Sequence, residues 1–143
     1  MPTPLDAAAE TRLIDAARAA RSRAYAPYSG FHVGAALLDE TGRVHAGCNV
    51  ENAAYPQSQC AEAGAIAALV LAGARRITAV AVVGEAAEPV TPCGGCRQRL
   101  REFAADGTPV LVADASGLRL RTTLGALLPH AFGPAHLERE EPA

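Results

Sequence analysis

The chain has 143 residues, half of them hydrophobic and a fifth charged, with few aromatics and a formal net charge of -2. That length suits one domain, 1–143, with a core that needs no disulfide support, and the composition excludes a disordered chain. A near-neutral balance excludes a strongly basic surface, so the expected partner is a small molecule, with no nucleic acid and no membrane.

No stretch matches the roughly 18 charge-free apolar residues of a membrane span, and the start MPTPLDAAAETR has neither a basic leader nor an apolar secretory core. The expected compartment is the cytoplasm. There, the four cysteines read as metal ligands or catalytic thiols, since reducing conditions keep thiols free.

Asp6 to Ala24 places Leu13, Ile14, Ala17, Ala20 and Ala24 at helical spacing, with Arg12, Asp15, Arg18, Arg21 and Arg23 largely on other faces. This predicts a first amphipathic helix. Pro27 and Gly30 in AYAPYSG then mark a loop. FHVGAALL and RVHAGCNVE flank Asp39-Glu40-Thr41-Gly42 and predict two antiparallel strands joined by a short turn. Along the second strand Val44, Ala46, Cys48 and Val50 alternate with His45, Gly47, Asn49 and Glu51. Cys48 is therefore expected as a small buried hydrophobe on the apolar side. Asn49, Glu51 and the following Asn52 form a polar fork at the strand end, where ligand binding and plain turn chemistry both remain open.

Cys60 to Ala72 is apolar nearly all round and predicts a helix buried between layers. ITAVAVVGE has the length of a buried strand. TPCGGCRQRLREFAADG predicts a helix with Pro92 before its start and Gly107 beyond its end, followed by PVLVADA as a buried strand and LRLRTTL as a weaker one. LGALLPHAF gives a short helical segment, and the acidic tail from about residue 138 is expected to fray. This order predicts an α/β fold in three layers, a mixed five-stranded sheet with helices on both faces.

Cys93 and Cys96 share a helical stripe with Leu100 and Phe103, which is expected to turn both sulfurs inward at a helix start. A helix N-terminus favours thiolates. Cys60 also opens a helix, so a fold that joins the two helix starts gathers three thiolates for a zinc ion with its fourth position open, the catalytic arrangement. Two other readings exist: a closed four-cysteine zinc knot that recruits Cys48, and a redox dithiol on PCGGC, which leaves Cys60 and Glu62 without a task. Glu62 needs a reason of its own, because a carboxylate in an apolar helix is costly unless satisfied. Two residues from a ligand, it is placed to move protons beside the open position.

NVENAAY, CAE and PCGGCRQ together resemble the cytidine deaminase family in its compact homotetrameric, three-cysteine branch, whose signature pairs a cysteine-bound zinc with a glutamate that is not a ligand. FHVGAALL and LLPHAF extend the likeness to roughly residues 6–137. The resemblance implies zinc-dependent hydrolysis of cytidine and 2'-deoxycytidine to the uridines with release of ammonia, a pyrimidine salvage reaction. It implies one Zn2+ per subunit on Cys60, Cys93 and Cys96, with Glu62 carrying a proton from water to N3 of the ring and later to the leaving ammonia. Asn49 and Glu51 would bind the ribose hydroxyl, while Phe31 and Ala61 would line the same pocket. A homotetramer with composite sites is implied as well, in which Ala53, Tyr55 and Phe132 reach a neighbour's nucleoside and Phe132 covers the base. Without the resemblance, Phe31 and Phe132 read as core residues. A zinc deaminase of a related aminated nucleoside or base is the nearest alternative, and a closed zinc-binding interaction module is the alternative that is not an enzyme.

One position departs from the pattern. Many family members continue CAE with an arginine that bonds the thiolates, whereas this chain has Ala63. Gln59, Gln98 and Arg97 are the expected substitutes for that charge. His32, His45, His130 and His136 are isolated and read as surface or locally bonded residues, and Arg75-Arg76 as a solvated helix end.

Overall fold

The computed structural model describes residues 5–137. The acidic tail expected to fray from about residue 138 lies outside the described residues. Helix α1 spans Ala7–Arg21, strands β1 and β2 span Gly34–Asp39 and Val44–Cys48, and helix α2 spans Ala61–Leu71. Strand β3 (Ile77–Val83), helix α3 (Gly94–Arg101), strands β4 (Pro109–Asp114) and β5 (Gly117–Thr123) and the short helix α4 (Leu124–Leu127) complete the order.

The strands form a single mixed five-stranded sheet in the order β2-β1-β3-β4-β5, in which the β3–β4 pair is parallel and its neighbours antiparallel. Strict alternation feeds both faces. Ala35, Leu37, Val80, Val82, Val110 and Val112 meet α2, α3 and α4 in one core, while Ala36, Ala79, Ala81, Leu111 and Ala113 meet Leu13, Ile14 and Ala17 of α1 in the other. The central strands are mostly apolar for this reason, interrupted by Asp39, Thr78 and Asp114, since each is buried on two sides.

Direction explains where function collects. β2 and β3 run the same way, as both are antiparallel to β1, and β4 is parallel to β3. A helix that joins two parallel strands must run back across the sheet, so α2 (from β2 to β3) and α3 (from β3 to β4) both begin at the C-terminal ends of these strands. The two helices pack on the same sheet face and against each other.

Two predicted features are corrected here. Val44, Ala46 and Cys48 share a face, whereas Val50, expected to continue the alternation, lies beyond the end of β2 and bridges Tyr25 and Gln59. β2 is an edge strand whose α1 side is thinly covered, so Ala46 is exposed and Cys48 only half-buried. The close contact is on the opposite face. A Cβ on Gly47 would stand 2.5 Å from the Ala61 carbonyl oxygen and 2.4 Å from the Ala65 nitrogen, so only glycine lets α2 lie this near β2. The apolar character of α2 is likewise not matched by full burial, because Ala67 and Leu71 are exposed.

Candidate metal centre and substrate pocket

Cys60 and Cys93 occupy the N-cap positions of α2 and α3, both in extended backbone conformation. Neither side chain caps its helix. In contrast, the Asp6 carboxylate accepts from the Ala9 amide at 2.7 Å and the Thr123 hydroxyl accepts from the Ala126 amide at 3.2 Å. Sulfur is a weak acceptor, so a cysteine at this position leaves the positive helix terminus facing its own thiol.

Cys96, one turn into α3, is buried and completes the set. The three Sγ atoms lie within 4.8 Å of one another, and the Cys60 and Cys93 sulfurs are 4.0 Å apart. Thiolates bound tetrahedrally to zinc at about 2.3 Å hold their sulfurs about 3.8 Å apart, so this donor set fits the ion with small adjustments. Three ligands leave the fourth position open. Cys93 is exposed at the cap, so only Cys96 of the α3 pair turns into the protein as predicted. Cys48 stays outside the cluster, which removes the closed four-cysteine knot.

The thiols differ electrostatically. Burial pushes Cys60 up and, with Glu62, pushes Cys96 well above the usual thiol range, while the Cys96 amide holds Cys93 below its ordinary value. Metal binding must therefore displace protons from the deeper sulfurs. Glu62 sits in the first turn of α2 with only 3 % of its surface exposed. Burial raises its carboxyl, partly opposed by the Cys96 thiol and the Arg99 guanidinium that face it. A buried carboxyl beside three sulfurs able to hold a metal is placed for proton transfer.

The polar fork is tied to this centre by backbone. Val50 and Gln59 exchange amide hydrogen bonds of 2.9 and 2.8 Å, which pins the end of the strand to the residue before Cys60. Asn49 accepts from the Val33 amide at 2.8 Å and donates to the Phe31 carbonyl at 2.7 Å. Glu51 accepts from the Tyr28 and Ser29 amides at 2.9 and 3.1 Å and from the Ser29 hydroxyl, bonds that hold its carboxyl below the usual range. Both residues thus fix the 28–33 loop. A carboxylate has about four acceptor sites, so Glu51 retains capacity toward a ligand.

Glu51 lines a cavity of about 370 Å³ with Tyr28, Ser29, Tyr55 and Ser58. Tyr55, in the 3₁₀ turn Tyr55–Gln57, stands edge-on to Tyr28 with centroids 5.7 Å apart, and Ala53 precedes it on the exposed connection. Ala61 is buried at the first position of α2. Phe31 and Phe132 are not core residues: they are 42 % and 56 % exposed, and Phe132 stacks on His136 at 4.8 Å. A larger open groove of about 570 Å³, lined by Arg12, Arg43 and His45, lies at the hairpin end of β2 and holds none of the thiols.

None of the substitutes expected for the missing arginine reaches the sulfurs. Arg97 clamps the start of α3, donating to the Pro92 and Leu127 carbonyls and the Thr91 hydroxyl at 2.7, 2.8 and 3.0 Å. Gln98 donates to the Phe132 carbonyl at 2.8 Å, and the Gln59 amide nitrogen lies over Gly64. Arg99 is the residue that was missed: its Nη1 donates to Cys96 Sγ at 3.6 Å. Its spacing, three residues after a ligand, was the available signal.

Comparison with known proteins agrees with this geometry. Residues 8–112 match the family model of the cytidine and deoxycytidylate deaminase zinc-binding region. The chain is 45 % identical over 126 residues to a cytidine deaminase of Sporosarcina psychrophila, covering 88 % of this chain and 93 % of the relative. It is 45 % identical over 121 residues to a cytidine deaminase of Mycobacterium tuberculosis, covering 85 % and 87 %. The crystal structure of the cytidine deaminase from Burkholderia pseudomallei superposes with a TM-score of 0.79 at 47 % identity, covering 85 % of this chain and 98 % of that one. With its three-cysteine cluster and mixed sheet, the chain belongs to the cytidine and deoxycytidylate deaminase zinc-binding family.

Proposed function

We propose that this chain is a zinc-dependent hydrolase that deaminates cytidine and 2'-deoxycytidine, with release of ammonia. The observation that carries this reading is the buried Glu62 carboxyl beside the Cys60, Cys93 and Cys96 sulfurs. Zinc held by these sulfurs supplies the acidified water that the hydrolysis needs. Glu62 takes a proton from the attacking water, gives it to N3 of the ring and later protonates the departing amine. Its burial beside the three sulfurs suits both steps, because each asks it to hold a proton and then yield it.

Glu51 and Asn49 receive the ribose hydroxyls, while Phe31 and Ala61 border the base. The exposure of Tyr55 and Phe132 supports a role toward a second copy, with Ala53 beside them, in a homotetramer whose sites are shared. One catalytic domain carries the activity, a reading supported by the attachment of every named residue to one sheet and its connections. The four free thiols favour the cytoplasm, and among the described residues no helix is long and apolar enough to cross a membrane.

The test is ultraviolet absorbance on adding cytidine, with and without a zinc chelator, together with ammonia release from a panel of aminated nucleosides. Chelator-sensitive turnover of cytidine and deoxycytidine is expected. A zinc-loaded protein inert to both, yet active on another aminated ring, overturns the substrate assignment. Sedimentation of the active enzyme as a monomer overturns the shared sites.

A further inference from the structure

Three thiolates around a divalent zinc leave a net negative charge, and the buried Glu62 adjoins them. The first turn of α2 has no basic residue, and Ala63 stands three positions after Cys60 where a cation on this helix would reach the sulfurs. The two helix termini contribute only partial positive charge. Another charged donor is therefore called for, and Arg97, Gln98 and Gln59 are engaged elsewhere.

Resting on the zinc reading above, we propose that Arg99 is the positioning residue that neutralises the three-thiolate centre in this chain, acting on the metal through Cys96 from α3 in place of an arginine at position 63. Three observations carry this. Arg99 Nη1 lies 3.6 Å from Cys96 Sγ, and this is the only hydrogen bond of the Arg99 side chain among the described residues. The two residues are three apart on one helix and share a face. Gly95 opens the path: a Cβ there would stand 3.4 Å from Arg99 Nη1, so the guanidinium lies over a position with no side chain. A guanidinium bonded to a thiolate draws charge from the sulfur, which lessens repulsion among the three ligands and steadies the one to which it is bonded. The charge has thus moved from the third residue after one ligand to the third residue after another.

The test compares the full chain with Arg99→Gln, Arg99→Lys and the pair Arg99→Gln with Ala63→Arg. Zinc affinity is read by chelator competition, and the thiolate-to-metal charge-transfer band is read after cobalt(II) substitution. Arg99→Gln is expected to weaken zinc binding about 10- to 100-fold and to move the cobalt band to longer wavelength, because unbonded thiolates give up electrons more readily. Arg99→Lys should regain most of the affinity, and the double variant should recover it from the other helix. Glutamine, lysine and arginine have good helix propensity, position 99 is exposed and position 63 half-buried, so the variants are expected to fold, as circular dichroism would check. Wild-type affinity and an unshifted band in Arg99→Gln overturn the assignment. So does a lysine variant no better than glutamine, and a double variant as weak as Arg99→Gln overturns the exchange of positions. These readouts need no substrate, so a protein that passes them yet ignores cytidine refutes the proposed activity alone.

Discussion

The sulfurs of Cys60 and Cys93 lie 4.0 Å apart although 33 residues separate them in the chain. Each occupies the N-cap position of a helix that starts at the same end of the sheet, so chain direction brings them together. Cys93→Ser should therefore lose stoichiometric zinc, and Cys48→Ser should keep it, because Cys48 is not in the cluster. Metal analysis of the purified variants checks both; loss of zinc from Cys48→Ser would restore the closed-knot reading.

Glu62→Gln keeps the size of the side chain and removes its acid–base capacity. Turnover should fall about 10²- to 10⁴-fold, the usual weight of a positioned proton carrier, while zinc content stays at one ion per chain. Steady-state kinetics alongside metal analysis decides the matter. A zinc-replete variant with undiminished kcat would exclude Glu62 from the proton path.

Gly47→Ala inserts a Cβ into the backbone of α2, with the Ala61 oxygen and Ala65 nitrogen both in the way. Stability should drop by about 1–3 kcal/mol through overpacking. Cys60 and Glu62 ride on the displaced turn, so zinc affinity should weaken in the same variant. Thermal unfolding and chelator competition are the measurements. Unchanged values in both would mean that α2 can move off β2 freely.

Asp39 is buried in the hairpin turn, with His45 Nε2 at 2.7 Å and the Thr41 hydroxyl, Thr41 amide and Arg43 amide at 2.6, 2.7 and 3.1 Å. Burial pushes its carboxyl up, but the bonds outweigh burial and hold it far below the ordinary range. A depressed carboxyl stabilises the fold above its unfolded value, about 3.9, and that stabilisation disappears as pH falls toward the folded value. Asp39→Asn should cost about 2 kcal/mol at neutral pH. The difference between the two proteins should shrink in acid, as denaturant titrations at several pH values would record.

Much of this was legible because the physical signals were local. Ile77–Val83 and Pro109–Asp114 read as buried strands since both of their faces are covered. Asn49 and Glu51 lie beyond the end of β2, and what they share is their hold on the 28–33 loop. Thiol spacing and the stranded acid at Glu62 pointed to the metal. What failed depended on neighbours distant in the chain. Cys48 looks internal because alternation reveals faces and not which strand ends at the edge, and Phe31 and Phe132, which the family resemblance assigns to the pocket, look internal without it because aromatic residues usually are. Arg99 is not legible from sequence adjacency to the ligands, because the helix brings the third residue along, not the next one, to the Cys96 sulfur.

The two apolar clusters that flank the sheet include none of the three ligand sulfurs. Structure and catalysis thus draw on separate resources: oily contacts hold the shell, and the ion equips it. The chain stripped of metal is therefore expected to keep its two-sided packing, and circular dichroism of chelator-treated protein would show it.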